Sequence, residues 1–259
     1  MVKGLYTAYT GMINEQHRMD TLTNNLANST TVGFKKEGST SQSFNAVLAL
    51  KVKDTSEPAN IPKRIGYNNP GVKIGENYTD WAQGSFKITD NTYDLALSGN
   101  GFFEIEFTNK AGETSTKYSR DGSFTLTQEG YLVTKDGNYV MGSKGRIKLD
   151  PLSDATVDQG GAIWQNNEVV DTLRIVDFQD YNYLKKYGEN LMEPVEGAQF
   201  KDADYKVFSG YLEMSNVQIV TEMVDLIAIT RQYEANQKII KSIDSTLEIA
   251  ANQLGRVNG

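Results

Sequence analysis

The side chains able to do acid–base or metal chemistry are few and poorly placed for it. His17 is the one histidine of the 259-residue chain, and there is no cysteine. Thiolate metal sites and disulfides are therefore excluded, and with them most zinc sites, and any histidine-based triad would have to be built on His17 alone. His17 falls between Met12 and Met19 but off their apolar stripe, so it is expected as an exposed helix residue. Carboxylates are plentiful, among them Asp90, Asp94, Glu104 and Glu106. Glu104 and Glu106 alternate with Phe103, Ile105 and Phe107, which predicts a solvated strand face and not a general acid/base pair. Ser98-Gly99-Asn100-Gly101 holds a lone GxG without the rest of a phosphate-cradling motif, and reads as a turn. Asp121-Gly122 and Asp136-Gly137 lack the further oxygen ligands of an EF-hand loop. The expectation is a non-enzyme with no catalytic residue, no cofactor and no metal site, working through shape and contact.

The elements that would make such contacts stand at the two ends. Leu226, Tyr233, Ile240, Leu247 and Leu254 recur every seventh residue, with Leu212 and Ile219 continuing the series backwards. Ile229, Asn236, Ile243 and Ala250 follow three places after the middle ones. A heptad sustained this far wants a partner helix and a left-handed supercoil. Residues 215–254 would span about 60 Å as a helix at 1.5 Å per residue. Leu5, Met12, Met19 and Leu26 are likewise seven apart, with Ala8, Glu15 and Leu22 three places on, predicting a second heptad helix over residues 5–27. Gly11 inside it costs about 1 kcal/mol against alanine. Asn236 and Glu15 are polar intrusions that weaken a seam but set its register. The outer faces, including Met223 and Ile239, are left for neighbours.

The first helix should stop in Asn28-Ser29-Thr30-Thr31-Val32-Gly33, with Asn28 able to take a left-handed conformation and Gly33 permitting positive φ. Residues 38–84, punctuated by Pro58, Pro62 and Pro70, suit an extended connector. From 85 to 209, short apolar runs at 102–107, 123–126, 131–134, 146–149, 162–165 and 173–178 alternate with Gly/Asp/Asn turns, which predicts an antiparallel β domain. Ser215-Asn216-Val217-Gln218 has the spacing of a capping box for the closing helix, and Gly255 would end it. The fold class is therefore α+β. Terminal helices (residues 1–37 and 210–259) pair as a coiled coil, and a mostly antiparallel β domain is inserted between them.

Length allows one large domain or two smaller ones. A net charge of −7 argues against a nucleic-acid binder, and no run approaches the about 18 apolar residues of a membrane span. The first twelve residues lack the apolar core and cleavage site of a secretory signal.

Residues 22–35, LTNNLANSTTVGFK, with Asn25, Ala27, Asn28, Thr31, Gly33, Phe34 and Lys35 as motif positions, resemble the amino-terminal signature of bacterial flagellar rod and hook proteins. Residues 94–103, 118–124 with 130–133, 210–217 and 233–238 resemble further family segments in the same order. The resemblance implies a structural subunit of the flagellar basal-body rod, proximal or distal, with residues 251–256 closer to the proximal type. It further implies export without a cleaved signal through the flagellar export apparatus, and extracytoplasmic placement in the basal body. Terminal helices would form the inner layer of a tubular homo-oligomeric polymer lining the export channel. The β domain would lie outside, and the rod would pass torque to other rod and hook proteins. The expected assembly residues are Leu5, Met12, Met19, Leu26, Ile219, Leu226, Ile229, Tyr233, Asn236, Ile240, Ile243, Leu247 and Leu254. The alternatives are a secreted cell-wall hydrolase or surface binding module on a coiled-coil stalk, and a non-flagellar coiled-coil scaffold.

Overall fold

The computed structural model describes residues 2–45, 47–51, 63–109, 112–188 and 190–252. The chain forms two compact units. One gathers Met1–Leu26, Glu37–Thr79 and Ile219–Gly259, and the other Ala27–Lys36 and Asp80–Gln218.

The first unit contains helix α1 (Val2–Ala27) and helix α2 (Ile219–Asn252). It also holds two antiparallel ribbons, Glu37–Ser43 with Val72–Thr79 and Val47–Lys51 with Lys63–Asn68. Much of the stretch expected as an extended connector is thus paired strand. Segments such as Glu37–Ser43 carry no apolar alternation, so hydrophobic patterning could not announce them. A two-stranded ribbon is marginal alone, and α1 supports this one. Asn14 Nδ2 donates to Ser41 Oγ at 2.9 Å, and Thr7 Oγ1 donates to the Pro70 carbonyl at 3.3 Å. Thr7, Thr10 and Asn14 form a polar stripe, and His17 and Thr21 continue it at the same 3–4 spacing. His17 is accordingly not an exposed residue, as its place off the apolar stripe suggested. It is half-buried, and its Nδ1 is shut off from solvent without a hydrogen-bond partner among the described residues.

α2 begins at Ile219, three residues later than a capping box with Ser215 as its N-cap predicts. Ser215 Oγ accepts from the Val217 N–H at 3.2 Å, making a local turn. The Asn216 side chain accepts from the Lys36 N–H at 2.8 Å and donates to the carbonyls of Asp80 and Ala82. These residues tie extended segments together, so the helix starts after them. α2 has 34 residues, about 51 Å at 1.5 Å per residue. α1 ends at Ala27, where the Thr31 N–H donates to the Asn28 carbonyl at 3.2 Å. The left-handed position belongs to Gly33, at φ 69°, and not to Asn28.

The second unit is built of antiparallel strands around Phe102–Thr108. One edge of that strand pairs with Thr114–Ser119, from Phe103 to Thr108. The other pairs first with Ile175–Phe178 and then with Tyr139–Gly142. Adjacent Phe102 and Phe103 point to opposite faces, as neighbours on a strand must. Phe103 joins a core with Leu95, Leu97, Phe124, Val140 and Ile163, and Phe102 joins one with Tyr118, Phe178 and Met192. Because both faces of the strand's first half are covered, Glu104 does not lie on a solvated face. It is 5% exposed and accepts from Arg174 at 3.0 Å. Burial pushes its carboxyl above the usual carboxylate range, and Arg174 partly opposes this. Glu106 sits further out and takes both arms of Arg146, at 2.9 and 2.6 Å.

Candidate functional site

Two constellations stand out, one in each unit. In the first unit, α1 approaches α2 at Gly4, Gly11 and Asn25. The side of Gly4 faces Ile243, whose Cδ1 would lie 3.7 Å from a Cβ built there. A Cβ on Gly11 would lie 3.1 Å from Asn236 Nδ2. Asn25 Nδ2 donates to Glu222 Oε2 at 3.3 Å, with both residues buried. Seven residues forward from Gly4 to Gly11 go with seven back from Ile243 to Asn236. Fourteen forward to Asn25 go with fourteen back to Glu222. The contacts therefore share one antiparallel register.

Along α2, Ile229 is buried, and Leu226, Tyr233, Asn236, Ile240 and Ile243 are half-buried. Ile219 and Leu247 are exposed, and Leu254 lies outside the described residues, as does Gly255. On α1, Leu5, Met12, Met19 and Leu26 are half-buried, and Ala8 is buried. These approaches to α2 come from Gly4, Gly11 and Asn25, one position before that series. The large apolar side chains beside them dominate the hydrophobic pattern. The signal was present all the same, as a glycine repeated after seven residues.

In the second unit, residues 28–35 hold the family motif positions beyond the helix end. Thr31 Oγ1 donates to Asn28 Oδ1 at 3.2 Å. A Cβ on Gly33 would lie 2.5 Å from the Asp121 nitrogen, and φ there is positive, so both space and backbone demand glycine. Phe34 is 1% exposed, and the Lys186 ammonium stands 3.9 Å from its ring centroid. Asn25, before the helix end, accepts from the Glu37 N–H at 2.9 Å and donates to the Glu37 carbonyl at 2.7 Å.

Lys35 leads into a buried ionic cluster that no local pattern foretells. Glu213 is fully buried. Its Oε1 accepts from Lys35 Nζ at 2.7 Å and from the Gly84 N–H at 3.0 Å, while Oε2 accepts from Arg120 Nη1 at 3.3 Å. Lys35 also donates to the Ala82 carbonyl at 2.9 Å, and Arg120 Nη2 to the Gly99 carbonyl at 2.6 Å. Two cations thus share one carboxylate out of water. Desolvation holds the Lys35 amine below its usual range, opposed by Glu213 and reinforced by Arg120. Such a cluster joins segments distant in sequence through groups that cannot be left unpaired cheaply. The Lys35 amine and the Glu213 carboxylate are engaged with each other and with backbone groups. Among the described residues, no group of three or more His, Asp or Glu side chains could hold a metal ion. No described helix is long and apolar enough to cross a membrane.

Comparison with known proteins bears on these parts directly. Three family models match: "Flagella basal body rod protein" over residues 5–35, "Flagellar hook protein FlgE/F/G D1 domain" over 96–165, and "Flagellar basal body rod FlgEFG protein C-terminal" over 209–254. The flagellar basal-body rod protein FlgF of Caulobacter vibrioides is 34% identical, over the full length of both chains. The chain belongs to the flagellar basal-body rod protein family. The hook-basal body complex protein FlhO of Bacillus subtilis is 28% identical over 99% of this chain and all of its own. The rod protein FlgG of Borreliella burgdorferi is 30% identical over 97% and 98%. The rod-family matches at the two ends take in α1 with the Gly33–Lys35 turn, and Glu213 with most of α2. Gly11, Asn25, Glu222, Asn236 and Ile243 of the helix register, and Lys35, Arg120 and Glu213 of the ionic cluster, fall within the matched segments.

Proposed function

We propose that this chain is a structural subunit of the flagellar basal-body rod, polymerising through α1 and α2 into a tube that lines the export channel and transmits torque. The observation that carries the reading is the constant antiparallel register of Gly4 with Ile243, Gly11 with Asn236 and Asn25 with Glu222. A register held over this length, on a helix whose burial recurs at 3–4 spacing, supports a left-handed coiled coil. The assembly residues are Leu5, Met12, Met19 and Leu26 on α1, and Ile219, Leu226, Ile229, Tyr233, Asn236, Ile240, Ile243, Leu247 and Leu254 on the closing segment. The partners are further copies of this chain, other rod and hook proteins, and the export apparatus that passes the chain outward without a cleaved signal.

Ile240→Asp tests this. It places a charge in the helix seam without touching the β unit. Cells carrying it should lose motility, and the variant should be missing from isolated basal bodies while its tryptophan fluorescence, from Trp81 and Trp164 in the β unit, stays native. Full motility with the variant present in basal bodies would overturn the reading.

A further inference from the structure

The first unit carries two apolar stripes that the described residues leave largely exposed, Tyr6 alone having an aromatic neighbour in Phe44 at 6.5 Å between ring centroids, and their spacings match. On α1, Tyr6, Tyr9 and Ile13 are 39–49% exposed. On α2, Val220, Val224 and Ile227 are 54–76% exposed, with Met223 beside them. At 100° per residue each stripe lies on the side of its helix away from the approaches at Gly11 and Asn236. Beyond Ile227 the same side of α2 turns charged at Arg231, Glu234 and Lys238, and beyond Ile13 that of α1 turns polar at Gln16 and Asp20. Both stripes are therefore bounded patches. A helix apolar on two sides is normally a buried one. With roughly half of each large side chain in water, each stripe offers a few hundred Å², about the size at which an apolar patch marks a contact surface.

We infer that the α1 stripe of one copy packs antiparallel against the α2 stripe of a second copy, Tyr6 on Ile227, Tyr9 on Val224 and Ile13 on Val220. This rests on the polymerisation proposed above and names the faces that meet. The steps along α1 are three and four residues. The steps back along α2 from Ile227 are also three and four, so all three pairs form in one register. A parallel arrangement would set three against four and lose it. Antiparallel is also what a polymer of similarly oriented copies requires, because α1 and α2 already run oppositely within each chain. Inside one chain Tyr9 stands level with residue 238, whereas between copies it stands level with residue 224. Fourteen residues at 1.5 Å give an axial stagger of about 21 Å between neighbours. The two stripes are different surfaces, so the contact is heterologous and each copy keeps one stripe open for the next.

The chain has no cysteine, so introduced thiols report the contact without background. A chain carrying Tyr9→Cys and Val224→Cys, oxidised in basal bodies isolated from cells that make it, should give a ladder of disulfide-linked copies. Mixed single variants should give the 9–224 product at least tenfold above 9–9 and 224–224. Ile13→Cys with Val220→Cys should behave alike, which guards against a defect particular to Tyr9. Same-position dimers alone would overturn the inference, as would a disulfide to a different protein in place of the ladder. So would intact basal bodies that contain the chain yet yield no 9–224 or 13–220 product. Absence of the cysteine-free chain from basal bodies would instead sink the rod-subunit reading itself.

Discussion

The ionic cluster makes a prediction whose sign is easily misjudged. Lys35, Arg120 and Glu213 bring two positive charges and one negative charge into a site where the three residues are 2%, 7% and 0% exposed. Lys35→Met removes the surplus cation. Glu213 keeps Arg120 at 3.3 Å and the Gly84 N–H at 3.0 Å, and the Ala82 carbonyl keeps the Asn216 amide at 3.1 Å. What is lost is two charge-assisted hydrogen bonds, to Glu213 and to the Ala82 carbonyl, about 1.5–3 kcal/mol each, offset by the desolvation that the missing ammonium no longer suffers. Glu213→Gln has nearly the same shape but leaves two buried cations facing each other with no anion. Breaking a buried pair in this way costs about 3–5 kcal/mol, a large share of the about 5–15 kcal/mol of a whole domain. Removing the single acid should therefore be clearly worse than removing one of two bases. Both tryptophans, Trp81 and Trp164, belong to the second unit, so their fluorescence during urea unfolding of the full chain follows that unit alone. Equal midpoints for the two variants, or a lower one for Lys35→Met, would refute the argument that excess buried positive charge governs the site.

Further outcomes follow from the same geometry. The lowered Lys35 pKa means that the folded state holds fewer protons than the unfolded one between the folded value and 10.5. Stability from this group should rise with pH through that window and be lost as pH falls through the folded value, a slope that Lys35→Met removes in urea midpoints measured on the alkaline side. Glu104 behaves oppositely. Its raised pKa gives stability below 4.5 that is lost as pH rises through the folded value, and Glu104→Gln should flatten midpoints measured from pH 4.5 to 7. Gly33→Ala must adopt φ 69° with its Cβ 2.5 Å from the Asp121 nitrogen, so it should cost at least about 1–2 kcal/mol by the same fluorescence assay. Gly11→Ala gains about 1 kcal/mol of helix propensity, and Asn236 has to shift only a few tenths of an ångström, so swimming should persist. Gly11→Leu has no such room and should abolish swimming in soft agar.

What could be read from sequence, and what could not, divides along the range of the forces involved. The stop of α1 at Ala27 and the glycine at positive φ are local events, written in a poor helix-forming run and a residue without a Cβ. Strand Ala162–Gln165 and the core of Phe102–Thr108 were equally legible from apolar runs between turns. The start of α2 was misplaced because Ser215-Asn216-Val217-Gln218 is a credible cap in isolation. Only the demand of Lys36, Asp80 and Ala82 for the Asn216 side chain, more than a hundred residues away in sequence, draws it into another role. Glu104 was misjudged for a related reason. Alternation tells which residues share a face, whereas burial depends on what covers that face, here Tyr118, Phe178 and Met192 from three later segments. The Lys35–Glu213 contact spans 178 positions, and neither residue type nor spacing hints at it. Polar pairs of this kind leave no periodic trace, because each is a single event and not a repeat. They nevertheless decide which segments may lie together, since an unpaired buried charge is costlier than a misfitted leucine. The apolar pattern thus specifies which elements form, and sparse buried polar contacts such as Asn25–Glu222 and Lys35–Glu213 select among the ways those elements could be combined.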